Sequence, residues 1–228
     1  MSMNAIVSYD DSENDIDALA LGSLLREAGA QLTLAYVRHV THRVALDEEL
    51  SQREAEALLD RGAARLGDPD IERRVVVSGS TGEGLAWVAE RERADAIVFG
   101  SEYRTRPGHV SIGRSAQRLL EGGPAALAFA PAGFAAGSRR TIETVGVLRG
   151  TADEAAIETA FSVAERFDAT VVDRDRALDL LVVGSRRQGR EYRLTLSSSA
   201  LHAIEEAVCP VLAVVRGAAL QFESLTLA

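Results

Sequence analysis

Short apolar runs alternate with longer amphipathic segments along the chain as far as Ala130. The runs are continuous and bounded by turn residues, which is typical of buried strands. The segments between them carry apolar residues three and four positions apart, which is the spacing of helices. The predicted strands are Ala5–Tyr9, Leu32–Val37, Val75–Val77, Ala96–Phe99 and Ala125–Ala130, and the predicted helices are Ile16–Ala28, Val44–Leu66, Leu85–Arg93 and Arg114–Glu121. This alternation predicts a doubly wound α/β domain, with a parallel sheet between two layers of helices.

A second series of the same kind follows a segment that is rich in small residues and then basic, as a linker would be. The later predicted strands are Val145–Leu148, Thr170–Val172, Leu180–Val183 and Val211–Val215, and the later predicted helices are Glu154–Phe167 and Ser198–Ala207. We therefore expect a complete domain over residues 1–133, a linker over 134–140, a shortened domain over 141–217 and a tail over 218–228.

The two series contain an internal repeat. The stretch Asp95–Ser101 (DAIVFGS) matches Asp179–Ser185 (DLLVVGS), and the same offset along the chain places Ser115 on Ser199. Before Asp179, the second series has no room for the helix, strand and helix that the first contains. The expected architecture is two parallel sheets, the second one smaller, separated near residues 134–140.

Composition excludes several classes of function. With 34 acidic and 25 basic residues the net charge is −9, which argues against a nucleic-acid binder that tracks phosphates. Every basic residue is Arg, so chemistry that depends on lysine is excluded. No apolar run approaches the roughly 20 residues of a membrane span, and no secretory signal is visible. A single cysteine, Cys209, agrees with a reducing compartment, and we expect a cytoplasmic protein.

Four stretches resemble the universal stress protein family. They are Ile6–Glu13 (IVSYDDSE), Gly29–Val37 (GAQLTLAYV), Ala94–Ser101 (ADAIVFGS) and Val208–Val215 (VCPVLAVV). These stretches follow one another in an order that occurs twice along the chain. The chain therefore resembles a tandem member of the family, with two Rossmann-like halves of which the second is truncated. The resemblance implies a stress-response regulatory or binding protein. It also implies that the last strands of the two halves could pair within one chain as a pseudo-dimer. The tail Leu220–Glu223 alternates apolar and polar residues, so it could add an edge strand and form a homodimer.

The family's nucleotide site follows the fourth strand, with the pattern glycine, two residues, glycine, nine residues, glycine, then Ser or Thr. In the first half these positions hold Gly100, Tyr103, Gly113 and Arg114, with Ser115 one place later. The resemblance implies an ATP site, with magnesium, in which Arg114 pairs with a phosphate. Equally, Arg114 could be a solvated residue in the first turn of the helix at an eroded site. The implied contacts are Asp10, Val37, Gly100, Gly113, Arg114 and Ser115. Asp10 would hold the ribose or the metal ion, and Val37 would contribute only backbone. Against this, left-handed backbone at Tyr103 would be strained.

The second half has lost more of the pattern. The corresponding positions hold Gly184, Arg187, Ser197 and Ser198, and Arg149 replaces the first-strand aspartate. We expect this half to serve as a structural partner for the first.

Several alternatives stay open. Asp10 could instead cap the first helix, a role that Asp11, Ser12 or Asn14 could equally fill. The phosphate-loop-like Ser78–Gly84 has no lysine and is interpreted as a turn, with Thr81 capping the next helix.

Trp87 and Cys209 are interpreted as packing residues, and no metal-binding set is predicted. No catalytic residues can be identified, so the sequence leaves enzymatic activity undecided and leans against it. Two hypotheses remain: an adenine-nucleotide binder that uses the first half, and a nucleotide-free interaction protein with a degraded site.

Overall fold

The computed structural model describes residues 3–39, 45–137, 141–148, 154–172 and 177–222. All of the predicted strands and helices are present, with bounds that differ slightly. The strands are β1 (Asn4–Ser8), β2 (Gln31–His39), β3 (Glu72–Ser78), β4 (Ala96–Phe99), β5 (Ala126–Phe129), β6 (Thr144–Val147), β7 (Thr170–Val172), β8 (Leu180–Gly184) and β9 (Val211–Val214). The helices are α1 (Asp15–Glu27), α2 (Ala45–Leu66), α3 (Thr81–Glu92), α4 (Arg114–Leu120), α5 (Glu154–Phe167) and α6 (Ser198–Glu205). A 3₁₀ turn covers Phe134–Ala136.

The strands form one nine-stranded sheet in the order β3-β2-β1-β4-β5-β9-β8-β6-β7. Every pair is parallel except β5 with β9, which is antiparallel and aligns Leu127 with Ala213. The α/β doubly wound class is confirmed, but the expectation of two separate sheets is wrong. Strands β5 and β9 are both apolar and fully buried. If each ended a separate sheet, each would be an unprotected edge. The pairing of β5 with β9 within one chain, which the family resemblance implied, covers both of these edges.

Helices cover both faces of this sheet. One apolar core lies under α1, α2 and α5, and the other lies under α3, α4 and α6. Successive residues of β1 alternate between the two cores, as a strand requires: Ile6 belongs to one and Val7 to the other. Both layers therefore pack on the strand that ends next to Asp10.

Helix α3 corrects two predictions. Ser80, not Thr81, caps the helix: its Oγ accepts a hydrogen bond from the Glu83 N–H at 3.3 Å. Trp87 is not in the core, because its side chain is 54% exposed and lies under the guanidinium of Arg91. Residue 87 is about 200° around the helix axis from Leu85, which is buried, so it points away from the sheet.

The internal repeat extends to hydrogen bonds. Buried Ser101 donates through Oγ to the Ala130 carbonyl at 2.7 Å and accepts from the Ser111 N–H at 3.2 Å. The second half has the same two bonds at the equivalent positions, at 2.9 and 3.1 Å, made by Ser185 with Val214 and Thr195. This agreement supports a repeated unit.

The C-terminal segment 218–222 packs against its own chain. The backbone N–H groups of Leu220 and Phe222 donate to Thr159 Oγ1 and Ser162 Oγ on α5, at 2.9 and 2.8 Å, and both side chains are buried. The expected edge strand is therefore wrong for these residues, and positions 223–228 of the tail lie outside the described part of the chain. None of the described helices is long and apolar enough to cross a membrane.

The linker is fixed to α1 by a buried aspartate. The carboxylate of Asp17 accepts hydrogen bonds from the N–H groups of Gly133 and Ala135, both at 2.8 Å. The start of the linker is therefore attached to the first half.

Candidate functional site

The carboxyl ends of β1 and β4 meet at one edge of the sheet. Val7 is in register with Val98, so Asp10 and Gly100 follow neighbouring strands at that edge. A Cβ on Gly100 would overlap the carbonyl oxygen of Asn14. Gly100 is thus required for the close approach of the loop before α1, whether or not a ligand binds there. The strand order reverses around β1 and β4, which is where ligands bind in open α/β sheets.

Asp10 is exposed and does not cap α1. Its Oδ1 accepts a hydrogen bond from the Ser12 N–H at 3.0 Å, and its own N–H donates to Asp15 Oδ2 at 2.6 Å. The N-cap is Asn14, one of the alternatives considered for that role, and it makes no side-chain capping bond. The Asp10 carboxylate therefore faces solvent at the edge where a ligand would lie.

Asp15, which the sequence analysis missed, holds this loop in place. Its buried carboxylate accepts hydrogen bonds from the N–H groups of Asp10 and Ser12. Burial, followed by the nearby negative charge of Asp10, raises the pKa of Asp15 to about 7. Its spacing was the available signal, because Asp15 precedes Ala18 and Leu19 by three and four residues and both face the core.

The neighbouring Asp11 is already occupied by other side chains. It lies in left-handed backbone with φ of 65°, and its carboxylate accepts from Tyr9 Oη at 2.7 Å and from Arg61 Nε at 2.8 Å. Arg65 lies 3.1 Å from the same carboxylate. The Tyr9 and Arg61 hydrogen bonds lower the pKa of Asp11, whereas burial holds the pKa of Tyr9 well above its ordinary value. Asp11 thus ties the loop to α2, and Asp10 is the aspartate that remains exposed.

The start of α4 contains a glycine that the fold does not require. Gly113 caps the helix with extended backbone, at φ of −71° and ψ of 161°, which any residue can adopt. A Cβ there would find only Glu102 Cγ, at 4.0 Å. Arg114 follows with an exposed side chain, and Ser115 is half-buried with its carbonyl oxygen packed against Gly82 of α3. The structure therefore leaves bare backbone and a guanidinium at this helix end.

Val37 is a core residue. It is buried in β2 opposite Val76, and a Cβ on Gly84 of α3 would lie 2.7 Å from its Cγ1. Its side chain is fixed by packing between sheet and helix, so only its backbone could contact a ligand.

The expected strain at Tyr103 is wrong. The left-handed residue is the next one, Arg104, with φ of 70°. Its guanidinium carbon lies 5.2 Å from the centre of the Tyr103 ring, and that side chain is 67% exposed. The aromatic ring therefore projects into solvent.

The matching region of the second half is different. Ser197 caps α6 by accepting from the Ala200 N–H at 3.2 Å. A cavity of about 490 Å³ lies beside the start of α5 and contains both signs of charge, including Glu158, Arg187 and Arg216. Arg149 lies outside the described residues. Among the residues that the structure describes, no group of three or more His, Cys, Asp or Glu could hold a metal ion.

Comparison with known proteins agrees with the fold. A sequence profile of the universal stress protein family matches residues 1–128. The chain is similar to a universal stress protein from Archaeoglobus fulgidus DSM 4304, at 14% identity and a TM-score of 0.70, over 95% of this chain and 100% of that one. It is also similar to a putative universal stress protein from Pseudomonas aeruginosa UCBPP-PA14, at 12% identity and a TM-score of 0.61, over 93% of each chain. No curated protein matches the sequence. The structural likeness extends through both halves.

Proposed function

The chain belongs to the universal stress protein family, and from that premise we propose that it is a stress-response regulatory protein whose first half binds an adenine nucleotide, ATP with magnesium. The observation that carries the proposal is Gly113. Neither its backbone conformation nor its packing requires glycine, whereas a phosphate group that approaches the start of α4 needs bare backbone there.

Charge at the same edge supports the proposal. Arg114 is exposed beside Gly113, and guanidinium groups pair with phosphate oxygens through two parallel hydrogen bonds. Asp10 would hold a ribose hydroxyl or the magnesium ion that accompanies the phosphates. The buried carboxylate of Asp15 fixes the backbone on which Asp10 stands, so Asp10 would need little reorganisation on binding.

The position of Tyr103 favours this reading over a degraded site. The degraded-site hypothesis rests on strain at Tyr103, but the backbone of this residue is not left-handed, so replacing the missing glycine costs the loop no strain. The competing function, a nucleotide-free interaction protein, draws support from Gly100, because packing alone accounts for that glycine.

Calorimetry with ATP at fixed salt and magnesium tests the proposal. Charge-assisted hydrogen bonds contribute roughly 1.5–3 kcal/mol, so Arg114→Ala should weaken binding about tenfold to a hundredfold. Gly113→Ala and Asp10→Ala should also weaken it, and Gly113→Ala should lower the thermal midpoint only slightly, since alanine is a poorer N-cap than glycine. The matched control is Arg118→Ala, one turn further along α4, where the guanidinium pairs with Glu83 at 3.0 Å.

The absence of both heat and retained nucleotide at millimolar ATP would favour the degraded site instead. Equal affinity of the Arg114→Ala and Arg118→Ala variants for ATP would contradict the proposed phosphate contact of Arg114.

We also propose the domain limits 1–133 and 141–217, with the second half as the structural partner in a pseudo-dimer. The antiparallel β5–β9 pair supports this arrangement, since it joins the last strands of the two halves. A cytoplasmic location is proposed from the single cysteine. Cys209 is buried, and burial raises the pKa of its thiol to about 12, so it is suited to packing rather than to redox chemistry.

A further inference from the structure

A groove of about 590 Å³ lies where the end of α3 meets the loop after β8. We call it the junction groove, and its lining includes Glu90, Arg93, Pro124 and residues 190–193. The proposed nucleotide contacts do not line it. One wall belongs to the first half of the chain and the other to the second.

Tyr192 stands in this groove in strained backbone, with φ of 58°. The first half has Gly108 at the equivalent place of the repeat, with φ of 82°. The equivalence extends to hydrogen bonding. The Gly108 N–H donates to the Ala132 carbonyl at 2.7 Å, and the Tyr192 N–H donates to the carbonyl of Arg216, the repeat equivalent of Ala132, at 2.9 Å. The same loop is thus built once with glycine and once with tyrosine.

Burial does not account for that tyrosine. Its side chain is 65% exposed, so it gains little from packing, while a bulky residue in left-handed backbone is disfavoured. Strained residues that the fold does not need are concentrated at binding sites. The useful property of Tyr192 is therefore the aromatic face that it presents.

The lining of the groove carries three arginines and two glutamates. Arg193 pairs with Glu90 at 2.6 Å, and Glu191 lies 4.0 Å from Arg216. Arg93 and Arg190 are exposed and make no ion pair with another described residue. In a protein of net charge −9, the junction groove thus presents two available guanidinium groups next to an aromatic ring.

We propose that the junction groove is a second binding site, for a planar aromatic anion of the nucleoside monophosphate class. The ring of the ligand stacks on Tyr192, and its phosphate pairs with Arg93 and Arg190. This site is separate from the one proposed in the first half, and because its two walls come from different halves it exists only when both are folded together.

Calorimetry with AMP, adenosine and inorganic phosphate at one ionic strength tests this proposal. AMP should bind more tightly than either fragment. Loss of stacking or of one phosphate contact should weaken AMP binding about tenfold, so Tyr192→Gly and Arg190→Ala are the decisive variants. Tyr192→Phe keeps the ring and should bind within about twofold of the unmodified protein. Arg91→Ala is the control, since that arginine lies over Trp87 and does not line the groove.

The Asp10→Ala protein separates the two sites, because it should still bind AMP in the junction groove. Tyr192→Gly should also keep the thermal midpoint or raise it, since glycine relieves the strained backbone. The proposal is overturned if the unmodified protein does not bind AMP at millimolar concentration, if inorganic phosphate binds as tightly as AMP, or if Asp10→Ala abolishes binding while Tyr192→Gly does not.

Discussion

At the scale of single residues, the protonation of Asp15, which holds the loop that carries Asp10, makes the stability of the protein depend on pH. The pKa of Asp15 is about 7 in the folded chain, against about 3.9 for an ordinary aspartate, so the folded state keeps a proton that the unfolded state releases. The free energy of unfolding should therefore fall as pH rises from about 4 to about 7 and level off above that window.

Asp15→Asn should remove this dependence. The amide oxygen can still accept from the Asp10 and Ser12 N–H groups, so the hydrogen bonds to the loop are kept. The variant should be more stable than the unmodified protein at pH 8 by at most about 4 kcal/mol, since each pKa unit corresponds to about 1.4 kcal/mol. Urea unfolding at pH 4.5 and pH 8 checks this. A difference between the two proteins that is the same at both pH values would contradict it.

For single residues, prediction from sequence succeeds where the position of a residue relative to an apolar run alone determines whether its side chain is exposed. Asp10 follows an apolar run, which puts it at a strand end, and it is exposed there. Trp87 was predicted to be buried but is exposed, whereas the burial of Asp15 was not predicted. Side-chain size and charge are poor guides to burial when a helix presents one face to a sheet. The angle around the helix axis decides both cases.

At the scale of elements, the segment 218–222 packs over the core between α1 and α5. Phe222 is buried beside Leu21, Val163 and Leu212. Phe222→Ala should therefore lower the free energy of unfolding by about 3–5 kcal/mol. Val208→Ala is the control, because that side chain is 65% exposed and its loss should cost less than about 0.5 kcal/mol. Equal effects in urea unfolding would mean that the segment contributes nothing to the core.

The secondary structure was predictable because the strands are short apolar runs between turn residues and the helices keep one apolar face. The C-terminal segment was not, although its alternation of Leu220 and Phe222 with polar residues is that of a strand. Its N–H groups instead find hydroxyl acceptors on α5, and Thr159 and Ser162 gave no signal of this in the sequence.

In the whole molecule, the antiparallel pairing of β5 and β9 joins the two halves. A chain shortened to residues 1–137 should therefore expose β5, which is buried along its whole length in the full protein. We expect this fragment to self-associate at micromolar concentration more than the full chain does, because an open apolar edge pairs with any available strand. Light scattering distinguishes the two, and a monomeric fragment would show that the edge is protected in some other way.

The single sheet could not be deduced from the sequence pattern, because an apolar strand has the same composition at a covered edge as at the centre. The constant offset of the repeat indicates that Leu127 and Ala213 belong to related strands, but not that they lie in register with each other. The same limit applies to the junction groove, whose two walls are far apart along the chain.

The β5–β9 pair also creates a delay during synthesis on the ribosome, between the emergence of β5 and that of its partner strand. Strand β5 ends at Phe129 and β9 begins only at Val211, so the ribosome must add the whole second half before the partner strand emerges. At about 5–20 residues per second, the nascent first half waits roughly 4–16 s with its last strand uncovered. Polysomes carry several such chains close together, so during that interval β5 of one nascent chain could pair with β5 of the next. Chaperone protection of the growing chain should matter most in this interval.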